Sequence, residues 1–233
     1  WNTAVDDACS RVNLPLPAQS EVIGAVNEAA GEDGVVVCAA GSMPGDLHKL
    51  WRTREPGGYH VEYGYSCMGY ELAGGLGVKL ARPEAEVFVM VGDGSYLMMN
   101  SEVATAVAMG QKLVVVLLDN RGFGCIHRLQ QSTVGEEHNN LLMSPPVDFV
   151  QHAQALGAKA EKVDSLAALP AALQRAVASS HVSVVVIETE ARKSTQAGGT
   201  WWDVPVAEVS PNPKTRAARE KYVEARKAQK LVR

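Results

Sequence analysis

The 233 residues are 46% hydrophobic and 21% charged, enough to bury a full core as one large α/β domain or two small ones. A net charge of −4 argues against a nucleic-acid partner. No apolar run approaches the ~18 residues needed to span a bilayer, so the chain reads as a cytoplasmic globular protein without a membrane partner.

Cys9, Cys38, Cys67 and Cys125 are widely spaced and make neither a disulfide framework nor a zinc motif; Cys38 and Cys67 read as buried thiols. The sequence opens at Trp1 rather than Met and carries no signal peptide, and it reads as a piece of a longer polypeptide.

Taken in order, residues 1–16 are polar and then punctuated by Pro15, with Pro17 just beyond, and read as a linker or edge segment. From Ala18 a helix is expected, with Val22, Ile23, Val26 and Ala30 on one face and Gly31 and Gly34 at its end. Residues 35–40 form a short apolar run that empties into a turn at 41–46, followed by a helix over 47–51 and a loop over 55–59. Residues 71–81 read as a helix whose Ala73, Gly74, Gly75 and Gly77 imply close packing, because each interior Gly costs roughly 1 kcal/mol against Ala.

The central stretch, 87–124, reads as strand, Gly-Asp-Gly turn, helix starting at Asn100 or Ser101, strand, and a second polar turn at 119–122. Residues 123–137 look irregular or weakly helical. Asp148 caps a helix closed by Gly157, residues 158–163 make a strand, Ser165 caps a helix running to Val177, and 182–188 make the last strand. Strands near 35, 87, 113, 159 and 183, each separated by a helix-length segment, predict a doubly wound, mostly parallel sheet with helices on both faces. Beyond Glu190 come Trp201 and Trp202, then a helix over 214–233 with eight Lys/Arg against two Glu, a solvated terminal helix whose strong aliphatic anchors are Val223 and Leu231.

The sequence has no G-x-x-x-x-G-K-[ST] loop, third glycine of a dinucleotide fingerprint, H-E-x-x-H or G-x-S-x-G. What remains is an oxygen-ligand pair, Asp93 and Asn120, each expected just beyond a buried strand at the carboxyl edge of the sheet, where such folds bind ligands. A carboxylate, an amide oxygen and a backbone carbonyl suit Mg²⁺ or Ca²⁺, and the amides of Gly94 and Ser95 suit a phosphate. Gly92-Asp93-Gly94 on its own fits a tight turn with Asp93 as a helix cap equally well.

The segment resembles the thiamine pyrophosphate-dependent enzymes, whose signature runs from Gly-Asp-Gly through a helix and strand to an Asn; here 27 positions separate Asp93 from Asn120. The resemblance implies that Asp93, Asn120 and the Gly122 carbonyl hold Mg²⁺ against the diphosphate, with Gly92, Gly94 and Ser95 beside it. Asp119 stands where the family's first Asn is usual, at a position that is not a ligand. Ser66-Cys67-Met68-Gly69 is similar to the family's Gly-Thr-Met-Gly, which implies that Met68 props the bent cofactor and that the Ser66 backbone helps bind the aminopyrimidine. Gly41-Ser42-Met43 takes the place of the Gly-Gln-His turn that touches the diphosphate.

The resemblance spans roughly 17–190, within a single cofactor-binding domain over 1–233 that carries an extension at 191–233. The stretches 38–51, 120–126 and 201–210 look like members that hydrolyse a C–C bond in a cyclic 1,2-dione in inositol breakdown. Carboligases and decarboxylases of the acetolactate synthase kind share the metal motif. In the family the Glu that activates the aminopyrimidine comes from the pyrimidine-binding domain of a neighbouring subunit. That implies a homo-oligomeric parent, dimer or tetramer, and an isolated chain that acts as a binding module. His48, His60 and His127 remain candidate acid–base groups, and Trp201 and Trp202 candidates for a lid.

Overall fold

β-Branched runs form the strands. The computed structural model describes residues 1–10, 12, 14–136, 138, 145–195 and 204–229. In it Gly34–Cys38 (β1), Tyr59–Val61 (β2), Glu86–Gly92 (β3), Val114–Asp119 (β4), Lys159–Val163 (β5) and Ser183–Glu188 (β6) make one sheet of order β2-β1-β3-β4-β6-β5. Every pairing is parallel.

Residues alternate between two cores, as a sheet buried on both faces requires. Val36, Phe88, Met90, Val116 and Leu118 point to a core shared with helices Asn2–Ser10 (α1), Gln19–Ala30 (α2), Ser42–Leu50 (α3) and Leu169–Ala178 (α9). Val37, Val87, Val89, Val115 and Leu117 face a second core with Tyr70–Ala81 (α4), Asp93–Met99 (α5), Ser101–Ala108 (α6) and Phe149–Ala155 (α8). The doubly wound α/β expectation is borne out. The chain runs outward from β1 to β2, then crosses back so that β3 lies on the other side of β1. That reversal opens a crevice beyond the carboxyl ends of β1 and β3.

Several local expectations are corrected. Residues 2–10 are a helix rather than a linker, because Val5 and Ala8, one turn apart, are buried against the core that α2 also covers. Helix α3 begins at Ser42, directly after Gly41 at φ 137°, so the expected turn at 41–46 is largely the helix's first turns, with Pro44 where its missing N–H is harmless. β2 is a sixth strand inside the segment read as loop and its continuation. Helix α5 starts at Asp93 without a separate turn, and the expected start at Ser101 is that of α6. Residues Gly124–Thr133 form a regular helix (α7).

Asp148 does cap α8, accepting from the Gln151 amide at 2.9 Å. Ser165 precedes a short 3-10 turn, Leu166–Ala168, without a side-chain cap bond. The basic helix spans Pro213–Ala228 (α10), capped by Asn212; it is anchored by Thr215, Ala218 and Tyr222, while Val223 is exposed. Cys38 is buried, but Cys67 is exposed on the segment after β2. Leu231, Trp201 and Trp202 lie outside the described residues.

Candidate cofactor and metal site

Parallel register decides which side chains meet at the crevice. Gly92 pairs with Leu118, so Asp93 and Asp119 leave the sheet together, and Asn120 follows. Around them lies a cavity of about 290 Å³ lined by residues following four strands. Gly41, Ser42 and Met43 come from beyond β1, Ser66 and Met68 from beyond β2, Gly92, Asp93, Gly94 and Ser95 from the end of β3 onward, and Asn120 and Gly122 from beyond β4. The fold thus brings all the residues singled out for cofactor and metal binding to one cavity, whereas the candidate acid–base residue His60 does not line it. Phe123, Gly124, Cys125 and Ile126 line it as well and were not singled out as site residues; they lie next to the Asn120 turn, at the start of α7.

Asp93 is 1% exposed and does not cap a helix by its side chain. Its Oδ1 accepts from the Gly94 amide and its Oδ2 from the Gly122 amide, both at 2.8 Å, so one carboxylate ties the two turns together. The Gly94 N–H, expected to face a phosphate, is satisfied by this carboxylate. Burial, reinforced by the nearby Asp119 charge, pushes the Asp93 carboxyl up to about 7, against the two amide bonds that pull it down. Asp119 also accepts from the Arg121 amide at 3.1 Å, and that bond closes the turn in which Arg121 takes φ 62°.

Asn120 Oδ1 is buried with no hydrogen-bond partner, the feature that distinguishes this site from a merely structural turn. A buried amide oxygen left unpaired beside a carboxylate and a backbone carbonyl fits a hard cation. Among the described residues no three His, Cys, Asp or Glu side chains converge to hold a metal, so a cation here would complete its shell with carbonyl, ligand or water oxygens. The space for a ligand depends on missing side chains: a Cβ on Gly94 would stand 2.5 Å from the Phe123 ring, and one on Gly124 3.3 Å from Asn120 Nδ2.

On the Ser66 side the loop is held from outside by Glu62, which accepts from the Tyr65 and Cys67 amides at 3.0 and 2.7 Å. Ser66 itself takes φ 57°, the left-handed region, where the similar family motif has Gly. Behind Ser42, Arg128 Nη1 donates to the Ser42 hydroxyl at 2.6 Å, and Ser42 Oγ donates to Gln19 Oε1 at 3.2 Å. Gln19 Nε2 in turn donates to Asp46, which also accepts from the Thr195 amide. Nothing local in the sequence signals this network, because its members lie far apart in the chain. His48 and His127 are not among the residues lining the cavity, and His152 contacts the Tyr96 hydroxyl at 3.1 Å as a packing residue.

Comparison with known proteins matches residues 39–188 to the family described as thiamine pyrophosphate enzyme, C-terminal TPP binding domain. The chain belongs to this family. Among curated relatives of this thiamine pyrophosphate domain, the 3D-(3,5/4)-trihydroxycyclohexane-1,2-dione hydrolase of Bacillus subtilis is 39% identical over 233 residues, covering 96% of this chain and 36% of that protein. The protein of the same name from Geobacillus thermodenitrificans is 43% identical over 212 residues, covering 86% and 33%. The chain therefore spans about a third of the length of the curated relatives it matches.

Among solved structures, benzoylformate decarboxylase from Polynucleobacter necessarius superposes with a TM-score of 0.72 at 21% identity, over 79% of this chain and 35% of that one. A thiamine diphosphate-dependent 4-hydroxybenzoylformate decarboxylase of Rhodococcus jostii RHA1 gives 0.71 at 20%, over 77% and 34%. At that identity the two share the fold of this thiamine pyrophosphate domain. No helix among its described residues is long and apolar enough to cross a membrane.

Proposed function

We propose that this chain is the Mg²⁺–thiamine pyrophosphate-binding domain of a cytoplasmic enzyme that hydrolyses a C–C bond in a cyclic 1,2-dione. The reaction would open trihydroxycyclohexanedione to a deoxyglucuronate-type acid in inositol breakdown. The observation that carries the cofactor half is the buried, unpartnered Asn120 Oδ1 beside Asp93 on a cavity lined from four strand ends. The substrate half is supported by relatives of about 40% identity named as hydrolases of that dione.

On this reading Asp93 Oδ, Asn120 Oδ1 and the Gly122 carbonyl hold the cation. Gly41, Ser42, Met43, Gly92, Gly94 and Ser95 surround the diphosphate, Ser66 meets the aminopyrimidine through its backbone, and Met68 supports the bend between the two rings. When bound, thiamine pyrophosphate supplies a carbanion for addition to one carbonyl of the dione and an electron sink for breaking the adjacent C–C bond. The chain's own contribution is placement. Asp93 keeps the two turns in register through the Gly94 and Gly122 amides, and the Phe123 ring packs against Gly94 at the cavity wall. The parent is a homo-oligomer in which a neighbouring subunit's pyrimidine-binding domain supplies the activating Glu.

Calorimetric titration with thiamine pyrophosphate, with and without Mg²⁺, tests the cofactor half: binding that requires the cation supports it, and absence of binding overturns it. Asp93→Ala abolishes the metal-dependent part. For the substrate half, the full-length parent is assayed on the inositol-derived dione and on pyruvate; turnover of pyruvate alone makes it a carboligase or decarboxylase instead.

A further inference from the structure

Glu71 lies in the first turn of α4, has no exposed surface, and makes no salt bridge among the described residues. It does not line the cavity, yet it joins two of the cavity's walls. Its Oε1 accepts from the Ser95 hydroxyl at 2.7 Å and its Oε2 from the Gly69 amide at 2.8 Å. Gly69 N–H is shared with Ser95 Oγ, also at 2.8 Å, so the three groups close a ring of hydrogen bonds. Gly69 ends the loop that carries Ser66 and Met68 into the cavity, and Ser95 belongs to the helix turn that carries Asp93.

The loop has little freedom to substitute for this ring. Gly69 takes φ 94°, and a Cβ there would stand 2.7 Å from Met99 Cγ. Burial raises the Glu71 carboxyl above its ordinary range, against the bonds from Ser95 and Gly69 that lower it. For packing alone, an apolar side chain of that volume is less costly to bury than a carboxyl group. What an apolar side chain lacks is two acceptors aimed at two different chain segments.

We propose that Glu71 is a positioning residue that pins loop 66–69 to the start of α5, fixing the spacing between Met68 and Asp93. Because these are the groups read above as the prop for the cofactor's bend and the ligand of its cation, the proposal rests on that reading. A rigid spacing means that bound cofactor meets a preformed cleft, and ordering of the loop is not charged against binding.

The test compares wild type with Glu71→Ala and Glu71→Gln in two measurements on the whole 233-residue chain. The first is amide hydrogen exchange without cofactor. Losing a bond to a charged or strongly polar acceptor raises exchange in 67–70 by about tenfold in Glu71→Ala, and by less in Glu71→Gln, which keeps one acceptor and the volume. Peptides over Glu86–Gly92 and Val114–Asp119 keep their wild-type protection. The second is calorimetry with Mg²⁺–thiamine pyrophosphate, in which affinity falls about tenfold in Glu71→Ala with partial recovery in Glu71→Gln.

Unchanged exchange at 67–70 in a folded variant overturns the proposal, as does a uniform rise across the chain, which marks Glu71 as a general stability residue. A loosened loop with undiminished affinity also overturns it. Glu71→Gln carries the test if Glu71→Ala does not fold. Failure of wild type to bind the cofactor overturns the functional reading and the cofactor half of this proposal, whereas the exchange result decides the pinning alone.

Discussion

Asp93 is 1% exposed, ligated by two backbone amides, and faces the carboxylate of Asp119. Its acidity near 7, against an ordinary 3.8, means that the folded chain keeps a proton between about pH 4 and pH 7 that the unfolded chain has already lost. Stability tied to this group is therefore fully present below about pH 4 and is lost as pH rises through 7. A rise of that size corresponds to roughly 4 kcal/mol at most. Glu71, also raised by burial, acts in the same direction. Glu188, lowered by Lys162, acts oppositely, but below its ordinary 4.5.

Urea melts of the metal-free chain should show stability falling between pH 5 and pH 8, and Asp93→Ala should flatten that fall. A cation needs the ionised carboxylate, so Mg²⁺–thiamine pyrophosphate binding should weaken as pH drops below 7 and release a proton there. Stability that rises from pH 5 to 8 without metal, and still does so in Asp93→Ala, would show that Asp93 does not govern this window.

At the scale of elements, two glycines of α4, two residues apart and on different faces of the helix, give opposite predictions. A Cβ on Gly75 would stand 2.3 Å from Val89 Cγ2 of β3, whereas one on Gly77 meets nothing within 4 Å. Gly75→Ala should therefore destabilise by about 1–3 kcal/mol through overpacking, and Gly77→Ala should stabilise by up to about 1 kcal/mol through helix propensity. Denaturant midpoints of the two variants check this, and equal shifts in the same direction would refute it. The close packing implied by the Gly-rich sequence is real at Gly75 and does not extend to Gly77.

The same contrast explains what was legible. β3 and β4 could be read because runs such as Val-Val-Val-Leu-Leu have one buried role in a parallel sheet. β2, three residues at the sheet edge with His60 and Val61 incompletely buried, leaves no such run. α1 was missed because only Val5 and Ala8 mark its buried face. The residues that line the cavity could be singled out because their spacing follows a family pattern. Glu71, Gln19 and Asp46 were missed because the Glu71–Ser95 and Gln19–Asp46 bonds join residues 24 and 27 positions apart on different elements.

On the scale of the whole molecule, the cavity's surroundings bear on how the chain works in its parent. Tyr65 is 92% exposed next to Ser66, Ile126 is 46% exposed at the cavity wall, and Met98 and Met99, also exposed, flank Gly69. Large apolar side chains gathered at a cavity's edge suit coverage by another protein surface. That is where a neighbouring subunit's pyrimidine-binding domain would bring the activating Glu.

The chain alone should therefore behave as a binding module. Saturating Mg²⁺–thiamine pyrophosphate should raise its melting temperature, since a ligand at 100 times its Kd contributes about 2.7 kcal/mol, while the dione is not turned over. The full-length parent should show both the thermal shift and turnover. Sustained turnover by the 233-residue chain would mean that a group within it activates the cofactor, and the division of labour between subunits proposed here would fall.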